Sequence, residues 1–146
     1  MKLLYSWAVG LLGLTACSKE NNVTPHLQAA FNQEVTLRYS QTASLPDLQA
    51  PELTLTLEDV LDQRCPPCFS PGTVQAVLAV QSQNGERQAV RLCLGCGSAT
   101  GLSDSAAVQA NNQRYVLTLH QVTPVDTGSG GNGPKKDKQA VLTVQR

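Results

Sequence analysis

Between Leu53 and Glu58 apolar and polar side chains alternate without a break, Leu53, Leu55 and Leu57 against Thr54, Thr56 and Glu58. Successive side chains of an extended chain point to opposite faces, so this period predicts a strand with one face in a core and one in water. The same alternation recurs at Val35, Leu37 and Tyr39, and at Tyr115, Leu117 and Leu119. Residues 72–81 and 87–94 form two more β-rich runs separated by Asn84 and Gly85, residue types that tolerate the positive φ of a tight hairpin turn. Residues 139–145 and a short edge piece at 43–45 bring the expected count to about seven strands. Turn-separated strands of this kind predict an all-β fold, an antiparallel two-sheet sandwich. Only residues 103–111 offer a helical turn.

At 146 residues the chain has room for one domain and one core. Eleven basic residues balance eleven acidic ones, so no basic field exists to attract nucleic acid, and no nucleic-acid partner is expected. The first 16 residues read as a leader, in which Lys2 supplies the positive end and the apolar run stops at Leu14. That run falls short of the roughly 20 residues needed to cross a bilayer. Leu14-Thr15-Ala16-Cys17 resembles the lipobox of bacterial lipoproteins, which implies cleavage before Cys17, lipidation of that cysteine and a membrane as partner through the lipid. Residues 17–32 are polar, contain Pro25 and lack periodicity, so they read as a tether, leaving 33–146 as the folded domain. Residues 126–138 are rich in glycine, and their lysines, Lys135, Lys136 and Lys138, read as the solvated tip of a flexible loop.

Four more cysteines carry the sharpest chemistry: Cys65-Pro-Pro-Cys68 and Cys93-Leu-Gly-Cys96. If Asn84 and Gly85 are the two turn residues, facing positions sum to 169, which sets Cys93 opposite Ala76 and Cys96 opposite Thr73. Cys65 and Cys68 precede the same strand, so all four sulfurs are expected at the open end of one hairpin. Structural disulfides rank first, because an exported chain meets oxidising conditions and the number of cysteines left after Cys17 is even. Four cysteines allow three pairings. A thiolate metal site on Cys65, Cys68, Cys93 and Cys96, holding zinc or copper, is the alternative. A thiol oxidoreductase ranks third, since no helix start follows Cys68 to lower a thiol pKa.

Other reactive residue types lack partners at a recognisable spacing. His26 falls in the tether and His120 in a strand, where surface or core roles are expected. Glu58, Asp59 and Asp62 crowd one strand end, and a solvated strand end is the expectation there. Ser103, Asp104 and Ser105 sit in a polar loop without a nucleophile elbow. No catalytic residue is predicted, and the sequence names no protein or small-molecule ligand.

At Asp62-Gln63-Arg64-Cys65-Pro66 the chain resembles small lipoproteins of the Bacteroidetes, a family without an assigned activity. Their pattern runs Asp-Ser-Arg-Cys-Pro, a short spacer, then Cys-x-Trp-Ala-Gly. Here Cys68, Phe69, Ser70, Pro71 and Gly72 occupy the second half, without the tryptophan. Residues 31–37 and 115–124 extend the likeness. The resemblance implies an all-β domain whose cysteine pair staples the loop before the central hairpin. The expectation is therefore a non-enzymatic lipoprotein of the cell envelope, held at the periplasmic face or the cell surface, with a structural or binding role.

Overall fold

The computed structural model describes residues 24–70, 72–125 and 134–146. The leader, Cys17, the first part of the tether and residues 126–133 lie outside the described residues. Two sheets pack face to face as a β-sandwich. The first sheet contains β1 (Leu27–Gln28), β3 (Thr42–Leu45), β4 (Leu53–Asp62), β5 (Val74–Ser82) and β6 (Arg87–Leu94), in the order β1-β3-β4-β5-β6. The second contains β2 (Glu34–Arg38), β7 (Ser105–Ala110), β8 (Gln113–Thr123) and β9 (Gln139–Gln145), in the order β2-β9-β8-β7. All pairs are antiparallel except β1 with β3.

The alternating residues form the core as the pattern requires, with Leu53, Leu55 and Leu57 meeting Tyr115, Leu117 and Leu119 in one buried cluster. At about 25 cal/mol for each Å² of apolar surface removed from water, each buried leucine contributes about 2 kcal/mol.

Nine strands are described where about seven were expected. Residues 103–111 hold β7 rather than a helical turn, because Asn111 and Asn112 both adopt positive φ (51° and 56°) and close a two-residue hairpin into β8. The tether, expected to run to residue 32, joins the fold earlier. Leu27 and Gln28 pair with Ala43 and Ser44, and Leu27, Ala29 and Phe31 pack against the core.

The β5–β6 hairpin also differs from expectation by one register step. Its loop is Gln83, Asn84 and Gly85: Ser82 pairs with Glu86, Gly85 N–H donates to the Ser82 carbonyl at 3.1 Å, and Gly85 takes φ +87°. Facing residues therefore sum to 168, so Cys93 lies opposite Gln75 while Leu92 lies opposite Ala76. A one-residue slip moves every side chain to the other face. Leu92 consequently fills the core, and Cys93 lies on the outer face of the sheet.

Two β-bulges shape the far ends of the long strands. The register shifts between Leu57 and Asp59 in β4, and between Leu119 and Gln121 in β8, so Glu58 and His120 are the extra residues. Each bulge inverts the phase of the residues beyond it. Past these points Val60, Asp62 and Val122 point inward, and Leu61 and Gln121 outward. The bulge at Glu58 is the reason that an aspartate enters the sandwich.

Candidate functional site

β4 ends at Asp62, β5 starts at Val74 and β6 ends at Leu94, so both cysteine pairs sit at one end of the first sheet. Cys65 and Cys68 bracket a turn closed by Cys68 N–H donating to the Cys65 carbonyl at 2.9 Å. Their Cα atoms are 5.2 Å apart and those of Cys93 and Cys96 are 5.7 Å apart, so each pair closes on itself at disulfide distance. Cys93 is buried, and its N–H donates to the Ser103 carbonyl at 2.8 Å, covering the free edge of β6. Among the described residues no group of three or more His, Cys, Asp or Glu side chains is arranged to hold a metal ion.

The loop carrying Cys65 and Cys68 is pressed tightly against the sheet. Gln63 N–H donates to the Thr73 carbonyl at 2.8 Å, and Gly72 follows the loop with φ +76°. A Cβ on Gly72 would stand 2.1 Å from the Gln63 carbonyl oxygen. Only glycine fits both the space and the dihedral angle. The chain then passes close to the second cysteine pair, since a Cβ on Gly95 would stand 3.0 Å from the Gly72 carbonyl.

Beneath the first pair lies an ionic network that sequence reasoning missed. Arg64 donates through Nε and Nη2 to the two oxygens of Asp62 at 2.8 and 2.6 Å. Its Nη1 donates to the Val122 carbonyl at 2.9 Å. Lys138 Nζ donates to Asp62 at 2.8 Å and to the Pro124 carbonyl at 2.7 Å. Asp62 closes one sheet, whereas Val122 and Lys138 stand at the matching ends of β8 and β9 in the other, so these groups clasp the sandwich shut. Burial pushes the Asp62 carboxyl up, but the hydrogen bonds from Arg64 and Lys138 and the Arg64 charge outweigh it and hold the pKa at about 2, from 3.8. Asp62 is therefore a buried bridge rather than a solvated strand end, and Lys138 is buried rather than part of a solvated tip. The signal was present in the spacing, because Lys138 is in phase with Ala140, Leu142 and Val144 on the inward face.

The remaining candidates are engaged individually. Glu58 pairs with Arg87, and Asp59 with Lys135 at 2.6 Å, which raises the lysine pKa. Ser103 donates to Asp104 at 3.0 Å, and Ser105 shares a hydrogen bond with Thr118 across the β7–β8 pair. His26 meets the Ser44 hydroxyl at 2.7 Å, and His120 meets Thr143 at 3.0 Å on the exposed face.

The opposite end of the sandwich has a clasp of its own. Tyr115 donates to Glu52 at 2.6 Å, Arg146 donates to the other Glu52 oxygen at 2.7 Å, and Asn111 donates to the Glu52 carbonyl at 2.7 Å. Phe31 stacks on Tyr115 with ring centroids 5.9 Å apart, and the Arg146 guanidinium lies 4.7 Å over the Phe31 ring.

No protein-family model, curated protein or solved structure matches the chain.

Proposed function

We propose that this chain is an exported lipoprotein of the cell envelope, anchored through Cys17, whose sandwich acts as a non-enzymatic structural or binding module. The observation that carries the reading is the pairing of Cys65 with Cys68 and of Cys93 with Cys96, each within disulfide distance. Cysteine pairs held at this distance persist as disulfides outside the reducing cytoplasm. The residues from Lys2 to Cys17 supply the matching export and anchoring signal. A binding role is favoured over catalysis by the roles already taken up: Asp62 holds two cations, Asp59 and Glu58 one each, and Ser103 donates to Asp104.

The test is to express the full chain in a bacterial host that processes lipoproteins and to prepare its envelope without reductant. Mass spectrometry of the N-terminal peptide is expected to show a chain beginning at a lipid-modified Cys17, and the change Cys17→Ala is expected to release the protein from the membrane fraction. Thiol titration in denaturant should find no free thiol and metal analysis no stoichiometric ion. Four titratable thiols with one bound ion would replace this reading with the metal site. An unmodified Cys17 would remove the anchor.

A further inference from the structure

The two ends of the sandwich differ in what they show to solvent. At the cysteine end Phe69 is wholly exposed, at 108% of its reference surface, on a loop drawn tight by Cys65 and Cys68. Exposed Pro66 and Pro67 share that loop. Val125, 42% exposed, follows Pro124, whose carbonyl the Arg64 guanidinium reaches at 3.4 Å. Lys135 and Lys136 are exposed at the same end with Asp137, just before the start of β9. Leu61, 38% exposed and next to Asp62 on β4, joins Phe69 and Val125, so three of the four exposed large apolar side chains of the described residues stand at this end. Apolar exposure gathered at one end marks a contact surface.

The path of the chain identifies what lies opposite. β1 runs parallel to β3 and therefore antiparallel to β4, so its N-terminal side points to the end where β4 finishes at Asp62. Upstream of β1 the Pro25 carbonyl accepts from the Gln41 side chain at 2.9 Å, which keeps the chain on that course. Six residues separate Cys17 from Thr24. Seven steps of at most about 3.6 Å limit the distance from the lipid attachment to Thr24 to about 25 Å.

We infer that the cysteine end faces the bilayer and that Phe69 enters its interfacial layer, a step that rests on the anchored reading proposed for Cys17. One aromatic side chain binds a membrane weakly by itself. Joined to an anchor by so short a connection, the contact becomes intramolecular and needs little intrinsic affinity. The prolines and the cysteine pair hold the loop in shape, so little freedom is lost on insertion. Phe69 thus fixes how the domain stands on the membrane and leaves the opposite end, with Glu52, Asn111 and the Asn84 hairpin, turned outward.

The chain's single tryptophan, Trp7, lies in the leader, so Phe69→Trp supplies a lone tryptophan in the processed protein, which excitation at the red edge reads apart from Tyr39 and Tyr115. Leu48→Trp, in the loop between Leu45 and Leu53 at the other end, is the control. Both full-length variants are purified from the envelope and reconstituted into phosphatidylcholine vesicles with one-fifth phosphatidylglycerol, with and without brominated acyl chains. The expected result is a blue-shifted emission and bromolipid quenching for Phe69→Trp at least roughly threefold greater than for Leu48→Trp. Equal quenching at the two positions, or none at Phe69→Trp in vesicles that float with lipidated protein, overturns the inference and leaves the anchor standing. A blue shift without bromolipid quenching means that protein covers the loop, and also overturns it. Retained Trp7 with an unmodified Cys17 removes the anchored reading, and the membrane-facing role of Phe69 falls with it.

Discussion

Replacing Asp62 by asparagine keeps the shape of the side chain and removes the carboxylate charge that Arg64 and Lys138 share. Removing one partner of a buried ionic network costs about 3–5 kcal/mol, because it breaks the set of charges and hydrogen bonds that offsets the desolvation of the others. A domain of this size is commonly stable by about 5–15 kcal/mol, so the loss is large. The acid dependence provides a second, independent number. The Asp62 pKa is lowered from 3.8 to about 2, so its contribution is fully present above pH 3.8 and is lost as pH falls through 2. At 1.36 kcal/mol per unit the shift amounts to about 2 kcal/mol at neutral pH, of which about half has gone at pH 3. Urea unfolding followed by circular dichroism at pH 7 and pH 3 measures both effects. Asp62→Asn is expected to cost at least about 3 kcal/mol at pH 7, with its deficit against the wild type shrinking by about 1 kcal/mol at pH 3. The exposed pair of Glu58 and Arg87 serves as control, since Glu58→Gln should cost less than about 1 kcal/mol. A cost at Asp62 no greater than at Glu58, or a deficit that grows in acid, would refute the clasp.

Gly72→Ala should destabilise the domain by more than about 3 kcal/mol in the same assay, since its Cβ would meet the Gln63 carbonyl oxygen at 2.1 Å. Gly101→Ala, with similar positive φ and open space around it, should cost only about 1 kcal/mol, and equal losses would show that dihedral strain alone governs both sites. Deleting residues 128–131 should leave the thermal midpoint within a few degrees, whereas deleting 135–138 removes Lys138 and should lower it by roughly 10 °C or more; an unchanged midpoint in the second deletion would count against the network.

The strands that alternate cleanly were readable because one wet face and one dry face impose a period of two on the residues. β4 and β8 are the plainest cases. The interruptions of that period were equally present, as a step of three from Leu57 to Val60 and from Leu119 to Val122, and each marks a bulge. β7 carries the same alternation in Ala106, Val108 and Ala110, but small residues give a weak contrast and the Asn111-Asn112 turn is a quieter signal than Asn-Gly. β1 has two residues and pairs in parallel, so no periodicity could report it. The cysteine pairs were correctly expected at one end of the hairpin, yet their register depended on a single residue of loop length. A three-residue loop ending in Gly85 and a two-residue loop at Asn84-Gly85 use the same residue types. Pairing within each Cys-x-x-Cys could not be chosen from spacing, because adjacent loops offer all three connectivities.

Asp62, Arg64 and Cys65 are close in sequence yet serve different parts of the molecule. Asp62 points inward because of the bulge at Glu58 and holds Lys138 from the other sheet. Arg64 spans from that carboxylate to the carbonyls at the end of β8. Cys65 begins the stapled loop that presents Phe69. The charged residues therefore fix where the loop leaves the sandwich, and the cysteines fix its shape once it has left. The two devices can be separated by experiment, because reduction acts only on the second. If reduced protein keeps its fold and loses the exposed, ordered setting of Phe69, the ionic clasp carries the architecture and the cysteines serve the surface that the loop presents.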